Sequence, residues 1–368
     1  MIQTRLPNQL GPIVKLVQDS LAQRGVQHRN MTLAGSLEVS RPASEGDENP
    51  DEDDRDTLFT IDYLEDVRAI EMREVPVIRP VQSGFRYFLD ATQKTVHVMR
   101  IGLVPVIATY AVAGVLERDP DGSSHLVPGS LETRFNWIIP KRSGNPDINI
   151  LVDLLEELHE NHDIVRDPIE PNEFPNPYYE QIRGDYSRIV ELANKAANDS
   201  RAILERDALR KFIANPEKNY PGDWIVVDGK LRENTPNCVG IVKRIMRQNL
   251  NGIDAETVFE LKPGERSTAF RLLDRHRSAD EQTGRTHWYL RMWNADGFEP
   301  DRALIHVEAA HDIEHPEAID EISSWIYAER LPRATADMRW PTLLYPIHVL
   351  ERILKRRQAT FTAGWPSQ

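Results

Sequence analysis

Residues 224–231 read Trp-Ile-Val-Val-Asp-Gly-Lys-Leu, a nearly continuous apolar run that ends in an aspartate and a glycine. Short continuous apolar runs are typical of strands that are covered on both faces, as in the centre of a sheet. A carboxylate at the end of such a strand is costly to bury unless it is paired or binds a cation. Asp228 therefore has two interpretations: it opens an Asp-Gly turn, or it belongs to a site.

A second run of the same form lies earlier in the chain, where FRYFL at residues 85–89 leads into Asp90 and the small residue Ala91. If the two strands are neighbours, Asp90 and Asp228 meet at one edge of the sheet and repel each other. A divalent cation would relieve that repulsion, and carboxylate oxygens suit Mg²⁺ or Mn²⁺. The alternative, that each aspartate simply opens a turn, is the commoner outcome for either one alone and stays open for the pair.

The order of the other segments predicts an α/β fold in which a mixed β-sheet is flanked by helices. The strands around Leu89 and Val227 are the most apolar and are expected to be its central pair. Ala-Thr-Gln-Lys at residues 91–94 is expected to join two strands as a hairpin. Further strands are expected at 104–116, 135–139, 238–243, 288–293 and 303–309, and helices at about 186–213 and 347–357.

Composition divides the chain into three parts. Residues 1–40 form an N-terminal helical segment, in which apolar residues at 13, 16, 17 and 21 share one helix face. Residues 41–57 contain eight acidic residues and two arginines without apolar periodicity, which is typical of a solvated linker or loop. Residues 58–368 form the main domain, with a proline-rich insertion around residues 140–185 that interrupts regular structure.

Charge and cysteine content limit the class of protein. The 368 residues carry a formal net charge of −13, much of it in the acidic segment, so the charge does not exclude a nucleic-acid partner. The single cysteine, Cys238, excludes an internal disulfide and a cysteine-based zinc cluster. The sequence has no apolar run of membrane-spanning length and no apolar signal region, so we expect a cytoplasmic protein without a membrane partner.

A third acidic candidate lies in the long predicted helix. Glu205 shares a helix face with Leu209 and Phe212, so its carboxylate is expected to point toward the core. An acid on an apolar stripe is a candidate metal ligand. A partly buried salt bridge to Arg201 or Arg210 is an equally ordinary explanation.

Near the C-terminus, His348 stands at the start of the last predicted helix. The ordinary pKa of histidine suits proton transfer or contact with a phosphate near neutral pH. A lone histidine beside apolar residues is more often structural, and this alternative stays open. The sequence has no HExxH, no Gly-x-Ser-x-Gly and no phosphate-binding P-loop, so a metalloprotease, a serine hydrolase and an ATPase are unsupported.

Taken in order, several of these pieces resemble the NurA nuclease family over roughly residues 84–357. The resemblance implies a ribonuclease-H-like fold, in which acidic residues bind one or two Mn²⁺ or Mg²⁺ ions and the protein hydrolyses DNA. It depends on the order of the pieces, because no single one is specific. The pieces are FLDATQKT (88–95), LERDALRKF (204–212), VVDGKL (226–231), VGIVK (239–243), GERSTAF (264–270), YLRMW (289–293), IHVEA (305–309) and WP…YPIH (340–348).

Carried over by position, the resemblance implies three metal-binding acids and a histidine. Two positions depart from the family pattern. Trp340 stands where the family has a tyrosine, which keeps an aromatic face and loses the phenolic hydroxyl. Ala91 follows the first aspartate where the family usually has glycine. The catalytic set implied is Asp90, Glu205, Asp228 and His348, of which the three acids would hold the metal.

Other residues are candidates for contact with DNA. Lys243 and Arg266 could neutralise phosphate charge, although both are also ordinary surface residues. Trp340 could stack on an unpaired base, and a plain core tryptophan is at least as common an outcome. His348 would contact the scissile phosphate or assist proton transfer.

The resemblance also implies partners and a cellular role. Proteins of the family work as dimers docked on a hexameric HerA-type ATPase, which pumps DNA toward the nuclease in DNA end resection and repair or in anti-phage defence. Exonuclease and endonuclease activity are both compatible with this reading. The alternative is a nuclease-like fold that no longer cleaves and serves as a DNA-binding or scaffolding subunit of such a complex.

Overall fold

A computed structural model describes residues 10–30, 59–76, 83–143, 145–168, 185–215, 222–243, 249–274, 284–332 and 340–362. Within these ranges the chain folds into a large mixed β-sheet flanked by helices, which confirms the predicted α/β class. None of the helices in these ranges has the length and apolar character needed to cross a membrane. The acidic segment at 41–57 and residues 169–184 of the proline-rich insertion lie outside the described residues.

The helices and strands of the described residues are as follows. The α-helices are α1 (Leu10–Gln23), α2 (Pro146–His159), α3 (Tyr186–Ile213), α4 (Ile253–Phe259), α5 (Pro316–Ala328) and α6 (Tyr345–Phe361). The strands are β1 (Arg29–Asn30), β2 (Phe59–Tyr63), β3 (Met72–Glu74), β4 (Phe85–Ile101), β5 (Val104–Arg118), β6 (Ser124–Leu126), β7 (Glu132–Ile138), β8 (Val165–Arg166), β9 (Trp224–Asp228), β10 (Cys238–Val242), β11 (Glu265–Ser267), β12 (Phe270–Asp274), β13 (Thr286–Arg291) and β14 (Leu304–Ala309).

The sheet has β4 and β9 in its interior. Its main path runs β2-β12-β13-β14-β10-β9-β4-β5-β7-β8. β9 is parallel to both β4 and β10, whereas β4–β5 and β5–β7 are antiparallel. Leu89 of β4 lies opposite Val227 of β9. The predicted central pairing of these two apolar strands is therefore confirmed.

The predicted hairpin at residues 91–94 is wrong, because β4 continues without a break through these residues to Ile101. The chain turns instead at Gly102 and Leu103, where Gly102 has a φ of +59° that glycine adopts without strain. Ala-Thr-Gln-Lys contains none of the residues that favour a turn, and its threonine favours a strand. Asp90 consequently lies inside a long strand and does not open a turn.

Helices α3 and α6 cover opposite faces of this central pair. Successive residues of a strand point to opposite faces, so the neighbours Phe88 and Leu89 belong to different hydrophobic clusters. α3 packs on the face that carries Leu89 and Val227, and α6 packs on the face that carries Phe88 and Val226. The helix residues buried in these contacts are Leu204, Ala208, Leu209 and Phe212 of α3 and Ile347, Leu350 and Leu354 of α6.

The N-terminal helix is confirmed, with a small difference in its buried face. Ile13, Val17 and Leu21 are buried, as their spacing predicts, whereas Leu16 is 37% exposed. α1 shares a hydrophobic cluster with α2, a helix that lies in the range of the proline-rich insertion and that sequence reasoning did not identify. Its signals are present in the sequence: Asn145 caps the helix by accepting a hydrogen bond from the Asp147 amide, and Pro146 begins its first turn.

Cys238 gives a chemical test of the packing around β9 and β10. Its side chain is buried, and burial raises the pKa of the thiol to about 12. Because the thiolate is the reactive form, we expect almost no reaction of the folded protein with a disulfide reagent at about pH 8. Full reaction is expected once denaturant unfolds the chain. Rapid stoichiometric reaction of the native protein would contradict the buried position of β10.

Candidate metal centre

The register of the sheet places Asp90 beside Asp228. Leu89 lies opposite Val227 in the parallel β4–β9 pair, so the next residue of each strand is an aspartate. β9 ends at Asp228, and Gly229 follows with a φ of +120°, a conformation that suits glycine. Asp90 and Asp228 are therefore neighbours at the point where β9 stops and β4 continues.

Two glutamates from the flanking helices join this pair. Burial raises the pKa of Asp90 well above its usual value, and the negative charge of Asp228 raises it further. Lys243 acts in the opposite direction, whereas Glu205 of α3 and Glu351 of α6 add to the rise. Asp90 is thus within electrostatic range of three other carboxylates, one from the neighbouring strand and one from each flanking helix.

Three of the four carboxylates have a cationic partner. Lys243 Nζ lies 2.7 Å from Asp228 Oδ2, Arg201 Nη1 lies 3.2 Å from Glu205 Oε2, and Lys355 Nζ lies 2.8 Å from Glu351 Oε1. Asp90 is different: it is 5% exposed, and its Oδ1 accepts a 2.7 Å hydrogen bond from the Ala91 amide. Within the ranges that the structure describes, no lysine or arginine lies within ion-pair distance of it.

The chemistry of these donors suits a hard divalent cation, and the side chains would have to move together to bind one, because no three of the four acids have carboxylate oxygens within 4.8 Å of one another in the described structure. Carboxylate oxygens are the preferred protein ligands of Mg²⁺ and Mn²⁺, and like charges held this close need a cation to ionise together. The buried Asp90 supplies the strongest indication, because no lysine or arginine of the described residues lies within ion-pair distance of its carboxylate. Asp90, Asp228, Glu205 and Glu351 are the residues that could hold the ion.

A groove lies between α3 and the turn that follows β9, beside Glu205 and Asp228 of the acidic cluster. It is lined by residues of α3 from 201 to 209 and by residues 227–233. Both acidic and basic side chains line it, so Glu205 and Asp228 lie beside groups that attract anions. The basic residues of the lining are Arg201, Arg206, Lys230 and Arg232, and the acidic ones are Glu205, Asp228 and Glu233.

His348 lies one helical turn before Glu351 in α6, on the same side of the helix. Its imidazole Nδ1 is buried and has no hydrogen-bond partner among the described residues. Glu351 lies within electrostatic range of Asp90. The buried Nδ1 would have to become accessible before it could contact a substrate group.

Two other sequence candidates are placed elsewhere by the structure. Arg266 is not a surface residue: its side chain is 1% exposed and forms ion pairs with Glu65 at 2.7 Å and Asp320 at 2.6 Å. Trp340 packs against Trp293, with ring centroids 5.3 Å apart. Arg266 therefore links β11 to α5 through a buried ion pair and is not placed to contact a phosphate. The Trp340 ring packs against another protein side chain.

Glu351 is the site residue that sequence reasoning missed. The signal resembles the one used for Glu205: an acid next to the apolar stripe of an amphipathic helix, here formed by Ile347, Leu350 and Leu354. Lys355 follows four residues later, at the spacing of an ion pair on a helix surface. The sequence therefore predicts an ordinary Glu351–Lys355 surface ion pair equally well. Only the packing of α6 on β4 shows that the glutamate is 8% exposed and faces the aspartates.

Comparison with known proteins does not identify a relative: no family model matches the chain, and a search of curated proteins finds no match. The function is therefore inferred from the geometry of the site and from the motif order given above.

The substitution Asp90→Asn tests two effects of this carboxylate separately: its destabilisation of the metal-free fold and its contribution to metal binding. The raised pKa of Asp90 means that its stabilising contribution is present at low pH and is lost as pH rises from the ordinary carboxyl range toward the raised value. In chelator at neutral pH, we expect Asp90→Asn to melt at a higher temperature than the wild type. Free Mn²⁺ at about 100 times its Kd should then stabilise the wild type by about 2.7 kcal/mol and the variant much less.

Asp223→Asn is the matched control, because Asp223 lies just before the other end of β9 and pairs with Arg86 at 2.8 Å. It should keep the full Mn²⁺ effect. An equal Mn²⁺ shift in wild type and Asp90→Asn would show that the ion does not bind at this cluster.

Proposed function

We propose that the protein is a deoxyribonuclease dependent on Mn²⁺ or Mg²⁺, with its active site at the acidic cluster. The observation that carries the proposal is Asp90, a buried carboxylate whose pKa is raised by burial and by the charges of Asp228, Glu205 and Glu351, and lowered only in part by Lys243. Two strand aspartates and a helix glutamate are the set that the resemblance to the NurA family implies. Glu351 adds a fourth acid to that set.

The arrangement of the sheet supports the ribonuclease-H-like fold that the same resemblance implies. The first long strand, β4, is antiparallel to β5 and parallel to β9, and it carries the first aspartate. The second aspartate ends β9, the neighbouring strand. Helices on the two faces of the sheet carry Glu205 and Glu351, and the charges of both act on Asp90.

The chemistry follows from the charges of the cluster. A bound Mn²⁺ or Mg²⁺ would lower the pKa of a water molecule and stabilise the charge that develops on a phosphate. Asp90, Asp228, Glu205 and Glu351 would hold one or two such ions. The resemblance gives His348 contact with the scissile phosphate or a part in proton transfer, and its buried Nδ1 would have to become accessible for either role.

The groove supplies contacts for the DNA backbone. Arg206, Lys230 and Arg232 line it beside the acids, so phosphates on either side of the scissile bond would meet positive charge there. Lys243 lies 2.7 Å from Asp228, which positions that carboxylate and could also approach a phosphate. Binding through such contacts is expected to weaken as salt rises.

The proposal extends to partners through the resemblance. A homodimer in the cytoplasm would dock on a HerA-type hexameric ATPase and cut DNA in repair, end resection or defence against phage. Delivery by a translocase would explain how a chain of net charge −13 acts on DNA, because long-range attraction is then less important. Cleavage of end-labelled linear DNA with and without the co-expressed ATPase tests this part.

One observation favours the alternative of an inactive nuclease-like DNA-binding or scaffolding subunit. Asp228, Glu205 and Glu351 are each paired with a basic side chain within 3.2 Å. A scaffold could keep these ion pairs for stability alone. The Mn²⁺-dependent melting shift separates the two proposals, because a scaffold of this kind should show little shift.

Asp228→Asn should abolish Mn²⁺-dependent cleavage of linear DNA, lowering the rate by at least about 100-fold, because a ligand of the ion is lost. The measurement is the initial rate on end-labelled DNA at saturating Mn²⁺. Asp223→Asn, at the other end of the same strand, should keep the wild-type rate. Full cleavage by folded Asp228→Asn would sink the assignment.

Glu351→Gln tests the acid that the structure adds to the site. The substitution keeps the shape of the side chain and removes its charge, so we expect cleavage to fall by at least about 10-fold and the Mn²⁺ requirement to rise. Lys355→Gln removes the ion-pair partner of Glu351 and leaves the carboxylate in place. If both variants lose the same activity, the ion pair matters and the carboxylate has no special role.

A further inference from the structure

A second cluster of possible metal ligands lies outside the acidic site. It consists of His287 in β13 and of His306 and Glu308 in β14. His287 lies opposite Glu308 in the antiparallel β13–β14 pair, and His306 precedes Glu308 by two residues on the same face of its strand. All three are at most 5% exposed.

The ligand atoms are close enough to share one ion. His287 Nδ1 lies 3.1 Å from His306 Nε2 and 3.9 Å from Glu308 Oε1, and one ligand atom of each residue lies within 4.8 Å of the other two. With bonds of about 2.0–2.2 Å, the ligand atoms of a tetrahedral zinc site lie roughly 3.3–3.6 Å apart. Small side-chain movements would therefore bring the three atoms around one ion.

Glu308 is already oriented for this role by its other oxygen. The Leu231 amide donates a 3.0 Å hydrogen bond to Glu308 Oε2, and Arg285 Nε lies 3.4 Å from the same atom. Oε1 is left facing His287. Gly240, opposite Glu308, permits this contact, because a Cβ there would lie 3.0 Å from the Leu231 nitrogen and 2.7 Å from the Gly229 carbonyl oxygen.

The imidazole rings are also held in place. The rings of His287 and His306 stack with centroids 5.1 Å apart. Phe270 stacks on His287 and Tyr289 on His306, and the Phe270 and Tyr289 centroids are 6.0 Å apart, so the four rings form one cluster. Burial favours the neutral imidazole, which is the form that binds metals. The proton now shared between the two facing nitrogens would move to the other nitrogen of its ring when an ion binds.

We propose that His287, His306 and Glu308 form a second metal site, selective for a divalent transition ion such as Zn²⁺. Two nitrogen ligands and one oxygen ligand suit zinc, whereas the oxygen-only acidic cluster suits Mg²⁺ or Mn²⁺. Three protein ligands leave a fourth position for water. The competing explanation is a histidine pair held by its hydrogen bond and by aromatic stacking alone.

The second site is joined to the acidic cluster by a short segment of the chain. Asp228 and Leu231 are the two ends of one turn: the aspartate belongs to the acidic cluster, and the leucine amide binds Glu308. An ion on Glu308 would fix that carboxylate and, through it, the turn. The second site therefore has a structural role for the groove, and its existence does not depend on nuclease activity.

The test uses the full chain with Asp90→Asn and Asp228→Asn, which remove the acidic site as a competing binder. After chelation and dialysis, this protein is titrated with Zn²⁺ by calorimetry, and with Co²⁺ by visible absorption. We expect about one Zn²⁺ per chain and a Co²⁺ spectrum of tetrahedral intensity. His306→Gln on the same background should lose saturable binding, with affinity lowered at least about 100-fold.

His125→Gln is the matched control, because His125 is exposed and lies on the distant strand β6. It should bind like its parent. If His306→Gln does not fold, Glu308→Gln keeps an acceptor for the Leu231 amide and provides the second variant. Absence of Zn²⁺ binding by the parent, or equal binding by folded His306→Gln or Glu308→Gln, overturns the proposal. No readout involves DNA, so this result is separate from the test of nuclease activity.

Discussion

The repulsion between Asp90 and Asp228 is the constraint around which the centre of the molecule is arranged. Two apolar strands pair in parallel, and this pairing brings two carboxylates side by side at the end of β9. Burial and repulsion raise the pKa of Asp90, and Lys243 offsets only part of the charge. A fold that keeps such a pair inside its most apolar strands loses stability there unless a cation binds.

The flanking helices make this arrangement more acidic. α3 approaches from one face and brings Glu205, and α6 approaches from the other face and brings Glu351. Arg201 and Lys355 each pair with the glutamate of their own helix, four residues away. Each helix glutamate thus has a basic partner on its own helix, whereas the charge of Asp90 is offset only in part, by Lys243.

The sequence alone predicts correctly the helices and strands that have strong apolar patterns, and it misses contacts that form only when distant segments pack together. The long helix α3 and the pairing of the strands at Leu89 and Val227 follow from local patterns, and so does the approach of Asp90 to Asp228. The hairpin predicted at 91–94 is wrong because this segment contains no residue that favours a turn, and the two β-rich runs on either side of it form one strand. The buried ion pairs of Arg266 join partners more than 50 residues apart, so no local pattern could show them.

The same distinction explains the two possible metal sites. The aspartates stand out because an acid follows an apolar run, whereas His287 comes together with His306 and Glu308 only when β13 pairs with β14. The turn from Asp228 to Leu231 lies between the two clusters and contacts both. The backbone of this turn packs directly on Gly240, where a Cβ would lie 2.7 Å from the Gly229 carbonyl oxygen.

The most direct measurement is the anomalous diffraction of crystals of the full chain soaked in Mn²⁺. The account predicts a peak between Asp90 and Asp228, with carboxylate oxygens at roughly 2.0–2.2 Å and with Glu205 or Glu351 turned toward it. A peak only at the surface, or Asp90 and Asp228 without density between them at saturating Mn²⁺, would contradict the assignment of a metal centre to this pair of strands.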